Sequence, residues 1–172
     1  MASGDTLFIL SPQGGTPPAT LYATLDTIAD GSAPNTTIPV LDFDGAVNEH
    51  MDWHLTIPSH YAGTTGFTFQ MNYAMDGTDG NEVNMEFRVL PLTDSLLLTG
   101  DLGIDTQTGA VINETPNGTQ DDFEISGTIA LAKASFGSAA AGTDIILRAT
   151  RDEATTTNVN DLQLKSIVVT ET

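Results

Sequence analysis

Two runs of strict alternation restrict what this chain can fold into more than any other feature of its sequence. Met51, Trp53, Leu55 and Ile57 alternate with Asp52, His54 and Thr56; Phe67, Phe69, Met71, Tyr73 and Met75 alternate with Thr68, Gln70, Asn72 and Ala74. Successive side chains of a strand point to opposite faces, so each run carries one apolar face and one mostly polar face. The intervening residues 58–66, PSHYAGTTG, are rich in turn formers. An antiparallel pair with one buried side is the expectation, and the rest of the chain must supply the sheet that covers it.

The remaining sequence meets that demand with strands. Alternating or short apolar runs occur at 6–10, 20–28, 36–44, 83–90, 123–131, 144–151 and 162–170. Pro39 marks 36–44 as an edge or bulged strand, and Gly127 marks a bulge within 123–131. The polar turn DGTDGN at 76–81 joins 67–75 to 83–90 as an expected β-hairpin. Residues 95–99 read as a strand or one helical turn. The stretch 103–120, with Gly109, Pro116 and Gly118, is the longest irregular segment, and long loops in compact domains are often binding elements. The last strand and the early strands are expected to pair, which protects sheet edges. With 40% apolar residues, 16 Gly, eight Pro and no trusted helix, the class is all-β. The expected architecture is a two-sheet antiparallel, jelly-roll-like β-sandwich of about 8–10 strands over residues 21–172. Residues 1–20, with Pro17 and Pro18 behind a short apolar strand, read as an extended N-terminal arm.

Charge narrows the function. There are 23 acidic residues against five basic ones, a net charge of −18, and no Lys or Arg occurs before Arg88. Such a surface repels phosphate and anionic lipid, so no nucleic-acid or membrane partner is expected. The first 15 residues lack a basic region and a long apolar run, and no segment approaches the ~20 apolar residues of a membrane helix. The absence of Cys excludes disulfides and thiolate metal sites and agrees with folding in a cytoplasm.

Chemistry-bearing groups are few. His50 and His54 share a strand face with Asp52 between them, but no fourth ligand is visible, and solvated polar residues are the simpler reading. Residues 76–82 offer carboxylate and amide oxygens without the EF-hand spacing, so ordinary turn chemistry is favoured over calcium. Asp42 and Asp44 form a carboxylate pair with no sign of a cleft. No nucleophile elbow, phosphate-cradling loop or HExxH motif occurs. Trp53, Phe67, Phe69, Tyr73 and Phe87 alternate with polar residues as a core face does, rather than as a platform for sugars. The triplets NTT, NET and NGT at 35–37, 113–115 and 117–119 match the glycosylation acceptor pattern, which has meaning only on a secretory route. No catalytic residue, cofactor or metal is expected, and the chain reads as non-enzymatic.

The LDFD strand, the run DWHLTIPSHYAG, the aromatic strands after it and the late IILRATRD and LQLKSIVV strands together resemble jelly-roll-like β-sandwich proteins of tailed bacteriophages and environmental viral genomes, some of them capsid decoration, or cement, proteins. The resemblance spans about residues 40–169. It implies an acidic structural protein of the virion, made in the host cytoplasm and seated as a homotrimer on the outer surface of the head, with the major capsid protein as partner. It implies that the arm makes capsid or protomer contacts through Thr6, Leu7, Phe8, Ile9, Leu10, Pro12, Pro17 and Pro18, by adding a strand to a sheet edge. The alternative is a glycan- or receptor-binding module of a tail or fibre, which requires exposed aromatics beside polar loops such as 103–120.

Overall fold

A computed structural model describes residues 4–94, 96–137, 139–153 and 156–172. Its strands are β1 (Thr6–Leu10), β2 (Thr24–Ala29), β3 (Thr37–Phe43), β4 (His50–Thr56), β5 (Gly66–Met75), β6 (Val83–Pro91), β7 (Ala110–Glu114), β8 (Glu124–Ile125), β9 (Ile129–Ala132), β10 (Asp144–Arg151) and β11 (Leu162–Glu171). Single 3-10 turns lie at Pro12–Gly14, Ile104–Thr106 and Lys133–Phe136. The fold is an all-β sandwich of two antiparallel sheets.

β11 is the spine of the seven-stranded sheet. One of its edges pairs with β5 along its whole length; the other pairs with β1 through Leu10↔Ile167 and then with β3 through Leu162↔Phe43. β2 extends the sheet beyond β3, while β8 and β9 pair with β5. The four-stranded sheet runs β4-β10-β6-β7. The expected pairing of the terminal strand with early strands is therefore present. Pro39 lies on the part of β3 that pairs only with β2, where its missing N–H breaks no bond to β11.

The inward faces are those that alternation picks out. Trp53, Phe67, Phe69, Tyr73 and Phe87 are all buried. Phe69 of one sheet stacks on Phe87 of the other at 4.8 Å between centroids, and Phe67 stacks on Phe136 at 4.6 Å, contacts that add to area burial. Arg151 is fully buried at one end, donating from Nη1 to the Phe43 carbonyl and from Nη2 to the Asn158 carbonyl at 2.9 and 2.8 Å. It ties β10, β3 and the 152–161 connection together.

Two expected pairings are overturned. The Trp53 strand, β4, and the Phe67 strand, β5, lie in different sheets, so they face each other across the core. Likewise β5 and β6 form no hairpin: residues 76–82 carry the chain from one sheet to the other. Alternation reports which side chains share a face, and both arrangements bury that face equally well. Residues 103–120 are less irregular than expected, since they contain a 3-10 turn and β7, which pairs with β6. Ser95 lies outside the described residues, and 96–99 form neither strand nor helix. The segment read as an arm is docked on its own domain through β1, with Leu7 and Leu10 in the core.

Candidate functional site

The outer face of the smaller sheet holds the two candidate histidines. The Asp52 carboxylate accepts from Arg148 Nε and Nη2 at 2.7 and 2.8 Å, and Arg148 Nη1 reaches Asp105 Oδ1 at 2.8 Å. Arg88 donates to Glu86 at 3.0 Å and to the Asp105 carbonyl at 2.9 Å. Asp52 is thus engaged by a bidentate guanidinium rather than free to ligate. His50 Nδ1 lies 2.9 Å from Thr150 Oγ1, and burial, with Arg148 nearby, holds the ring below its usual pKa. His54 is exposed. Leu90 and Ile146 of this face pack under Ile104 of the 92–109 connection. Among the described residues, no group of three or more His, Asp or Glu is placed to hold a metal ion.

Several oxygens of 76–82 serve the fold. Asp76 Oδ1 accepts from the Asp161 amide at 2.8 Å and Asp79 Oδ1 from the Asn81 amide at 3.0 Å, while Asn158 Nδ2 donates to the Asp79 and Asn81 carbonyls. Asp42 and Asp44 part company. Asp44 lies past the end of β3, where it accepts from the Ala46 amide at 2.6 Å. Asp42 stands on the outer face of β3, opposite Gln163 of β11. Burial, and then the carboxylates of Asp161, Asp76, Asp26 and Glu49, push its pKa up to about 6. Asp42 Oδ1 and Gln163 Oε1 are both buried atoms without a hydrogen-bond partner.

That outer face of the larger sheet is where the candidate site lies. Ile28 faces Ile38 across β2 and β3, and Val40 follows on the same side. Val40 and Ala74 are buried, yet neither belongs to the core between the sheets. They floor a hollow of about 50 Å³ whose walls include Ile28, Ile38, Gln163, Lys165 and Phe123. It opens past Asp121 into a shallower depression of about 500 Å³ lined also by Asp30 and Thr36. Phe123 is 54% exposed, and Lys165 Nζ sits 5.8 Å from its ring centroid. A second hollow of about 420 Å³ adjoins at Ile38 and Lys165 and is lined by Ile9 and Pro12.

The eight residues expected to make contacts divide accordingly. Leu7, Leu10 and Pro12 are buried, and Phe8 is half-buried, edge-on to Phe67 at 6.3 Å. Thr6 and Pro17 are exposed and Pro18 is half-buried. Ile9 is 70% exposed on the outer face. Only Ile9 and Pro12 border the hollows, in both cases the adjoining one. Phe123, Ile28, Ile38, Gln163 and Lys165 were not singled out as site residues. The one available signal was Phe123 following the polar run at 117–122, an aromatic at the mouth of a loop.

No protein-family model matches the sequence, and no curated protein matches it significantly. Solved structures do match the fold. A family 35 carbohydrate-binding module from Clostridium thermocellum superposes with a TM-score of 0.53 at 13% identity, covering 94% of this chain and 95% of its own. A family 35 carbohydrate-binding module from an environmental isolate does so with a TM-score of 0.53 at 13% identity, covering 96% and 98%. At that identity the likeness is one of fold. It carries the jelly-roll part of the resemblance seen in the sequence and not the viral part.

Proposed function

We propose that this chain is a non-catalytic glycan-binding module that seats a saccharide on the outer face of its larger sheet. The observation that carries the reading is the half-roofed apolar floor of Val40 and Ala74 beside an aromatic ring standing out in solvent. Apolar floors with a few placed polar groups are the usual make-up of small-ligand sites. A pyranose offers both halves of the match: C–H faces for Phe123 and the isoleucines, and hydroxyls for the polar side chains of the lining, Asp30, Asp121 and Gln163. The carbohydrate-binding modules that share the fold support the same reading. Residues 103–120 serve the two sheets unequally. Their first turn lies over the smaller sheet, while the chain just after them delivers Asp121 and Phe123 to the groove.

Affinity electrophoresis and calorimetry against a panel of soluble polysaccharides test the proposal. Binding to at least one is expected, with a loss of about tenfold or more in Phe123→Ala, whose unfolding midpoint should stay near the parent's because the ring is half-exposed. Binding that ignores Phe123→Ala and Ile38→Ala would place the site elsewhere.

A second reading, as a homotrimeric decoration protein on a phage head, is favoured by Ile9 alone: a large aliphatic side chain left in solvent on β1, beside a hollow. Heating heads with and without the protein tests it, and equal rupture temperatures would remove it.

A further inference from the structure

The groove carries a charge pattern that its glycan must answer. Asp26 and Asp42 stand on the same sheet face as its floor, and Asp30 and Asp121 line its mouth. Lys165 is the cation of the lining, and its ammonium lies over the Phe123 ring. The chain as a whole is at −18. A uronic-acid polymer would meet like charge on both scales, and a second copy of this chain would meet it too. A neutral sugar would satisfy the apolar floor but leave the carboxylates uncompensated.

We infer, resting on the glycan-binding reading above, that the groove selects saccharides bearing free amino groups, such as oligomers of deacetylated glucosamine. Two features set the ligand. The carboxylates of Asp30 and Asp121 in the lining, with Asp26 and Asp42 beside it on the same sheet face, set its charge. The apolar floor and the Phe123 ring call for a sugar ring to carry that charge, on amino groups. A metal ion is the other ligand such carboxylates could take, but no group of three or more acidic or histidine side chains converges among the described residues. A basic peptide would satisfy the charge and leave the apolar floor unmatched.

Calorimetry at neutral pH and low salt with five probes decides the matter: a glucosamine hexamer, its fully N-acetylated counterpart, cellohexaose, hexagalacturonate and hexalysine. The glucosamine hexamer is expected to bind at least tenfold tighter than each of the others, and to weaken as salt is raised. Asp42→Asn and, separately, Asp121→Asn should each reduce that affinity several-fold. Asp121 is exposed with a φ of 58°, a conformation Asn adopts readily, so this second variant tests the charge even where Asp42→Asn disturbs β3. Equal or tighter binding of the neutral or uronate hexamers would overturn the amino-sugar assignment while leaving the glycan reading standing. Equal binding of hexalysine would overturn it as well, by showing that charge alone is read. Binding of none of the saccharides would overturn both.

Discussion

The two sheets of this sandwich treat their outer faces in opposite ways. On the smaller sheet, Asp52, Arg148, Asp105, Arg88 and Glu86 form a continuous ladder of ion pairs, and Ile104 packs on Leu90 and Ile146 beside it. The charged groups of that ladder are paired, and Leu90 and Ile146 are covered. On the larger sheet, Ile9, Phe123 and Ile125 stand in solvent, Val40 and Ala74 floor a groove, and two buried acceptors lack donors. Four of the five basic residues are Arg88, Lys133, Arg148 and Arg151, none of which serves the open face; only Lys165 does. Matched groups stabilise a fold, whereas buried groups left unmatched destabilise it unless something else occupies them. That difference is why the binding site is assigned to the larger sheet.

The largest effect should come from breaking the finished face. Arg148→Ala strands the Asp52 carboxylate, which is 8% exposed, without its bidentate partner. Removing one half of a largely buried pair should destabilise by about 2–4 kcal/mol, read as a lowered urea midpoint. Glycan affinity should be untouched, because the ladder lies across the core from the groove. Pairing Arg148→Met with Asp52→Leu should recover most of the loss. A loss below about 0.5 kcal/mol in Arg148→Ala would mean that the ladder is merely surface decoration, and the contrast between the faces would fail.

How far the sequence carried this contrast depends on what side-chain alternation encodes. It identified nearly every strand and the buried aromatics of the two alternating runs and of β6, because a half-buried strand writes its burial into period two; Phe43, Tyr61 and Phe136, buried without such a run around them, gave no comparable sign. It could not say that β4 and β5 belong to different sheets, since Trp53 and Phe69 are buried by either pairing. It missed β7, whose five residues AVINE sit between Gly109 and the Pro116 turn. The ladder was half legible: Asp52 and His50 were placed on one face, but Arg148, 96 residues later, gave no sign of being Asp52's partner. The groove was least legible. Ile28, Ile38 and Val40 look like core strand residues, but Leu41 and Phe43 take the core side of β3, which leaves Ile38 and Val40, with Ile28 opposite Ile38, on the outer face.

A smaller effect is expected on the open face, from Asp42. Its pKa in the folded chain is raised to about 6 by burial and by neighbouring carboxylates. The folded state therefore holds this proton more tightly than the unfolded chain does. Its contribution to stability is greatest below about pH 4 and falls as pH rises from about 4 to about 6, staying low above that. Glu49 and Asp161 are raised too and act in the same direction. Asp42→Asn should accordingly raise stability at neutral pH by about 1–2 kcal/mol, allowing for partial solvent screening, and leave it unchanged near pH 4. Urea unfolding at the two pH values checks this. Such a gain at the cost of ligand affinity is what a site kept for binding, rather than for stability, should show. Destabilisation at neutral pH would place Asp42 with the matched groups of the other face.

The smallest effect should come from Lys165, and it is the sharpest discriminator. Its ammonium over the Phe123 ring is a partly exposed cation–π contact, worth about 0.5 kcal/mol. Lys165→Met keeps an aliphatic stem in the wall of the hollow floored by Val40 and Ala74 and removes the charge. Stability should shift by no more than about 0.5 kcal/mol, while affinity for the glucosamine hexamer should rise, because the cation opposing the ligand is gone. Arg148 and Lys165 are both cations on outer sheet faces, so the two variants differ in what the charge is for. A large stability loss in Lys165→Met, matching that of Arg148→Ala, would mean the larger sheet's face is as finished as the smaller one's, and that the groove is a seam in the fold rather than a place for a ligand.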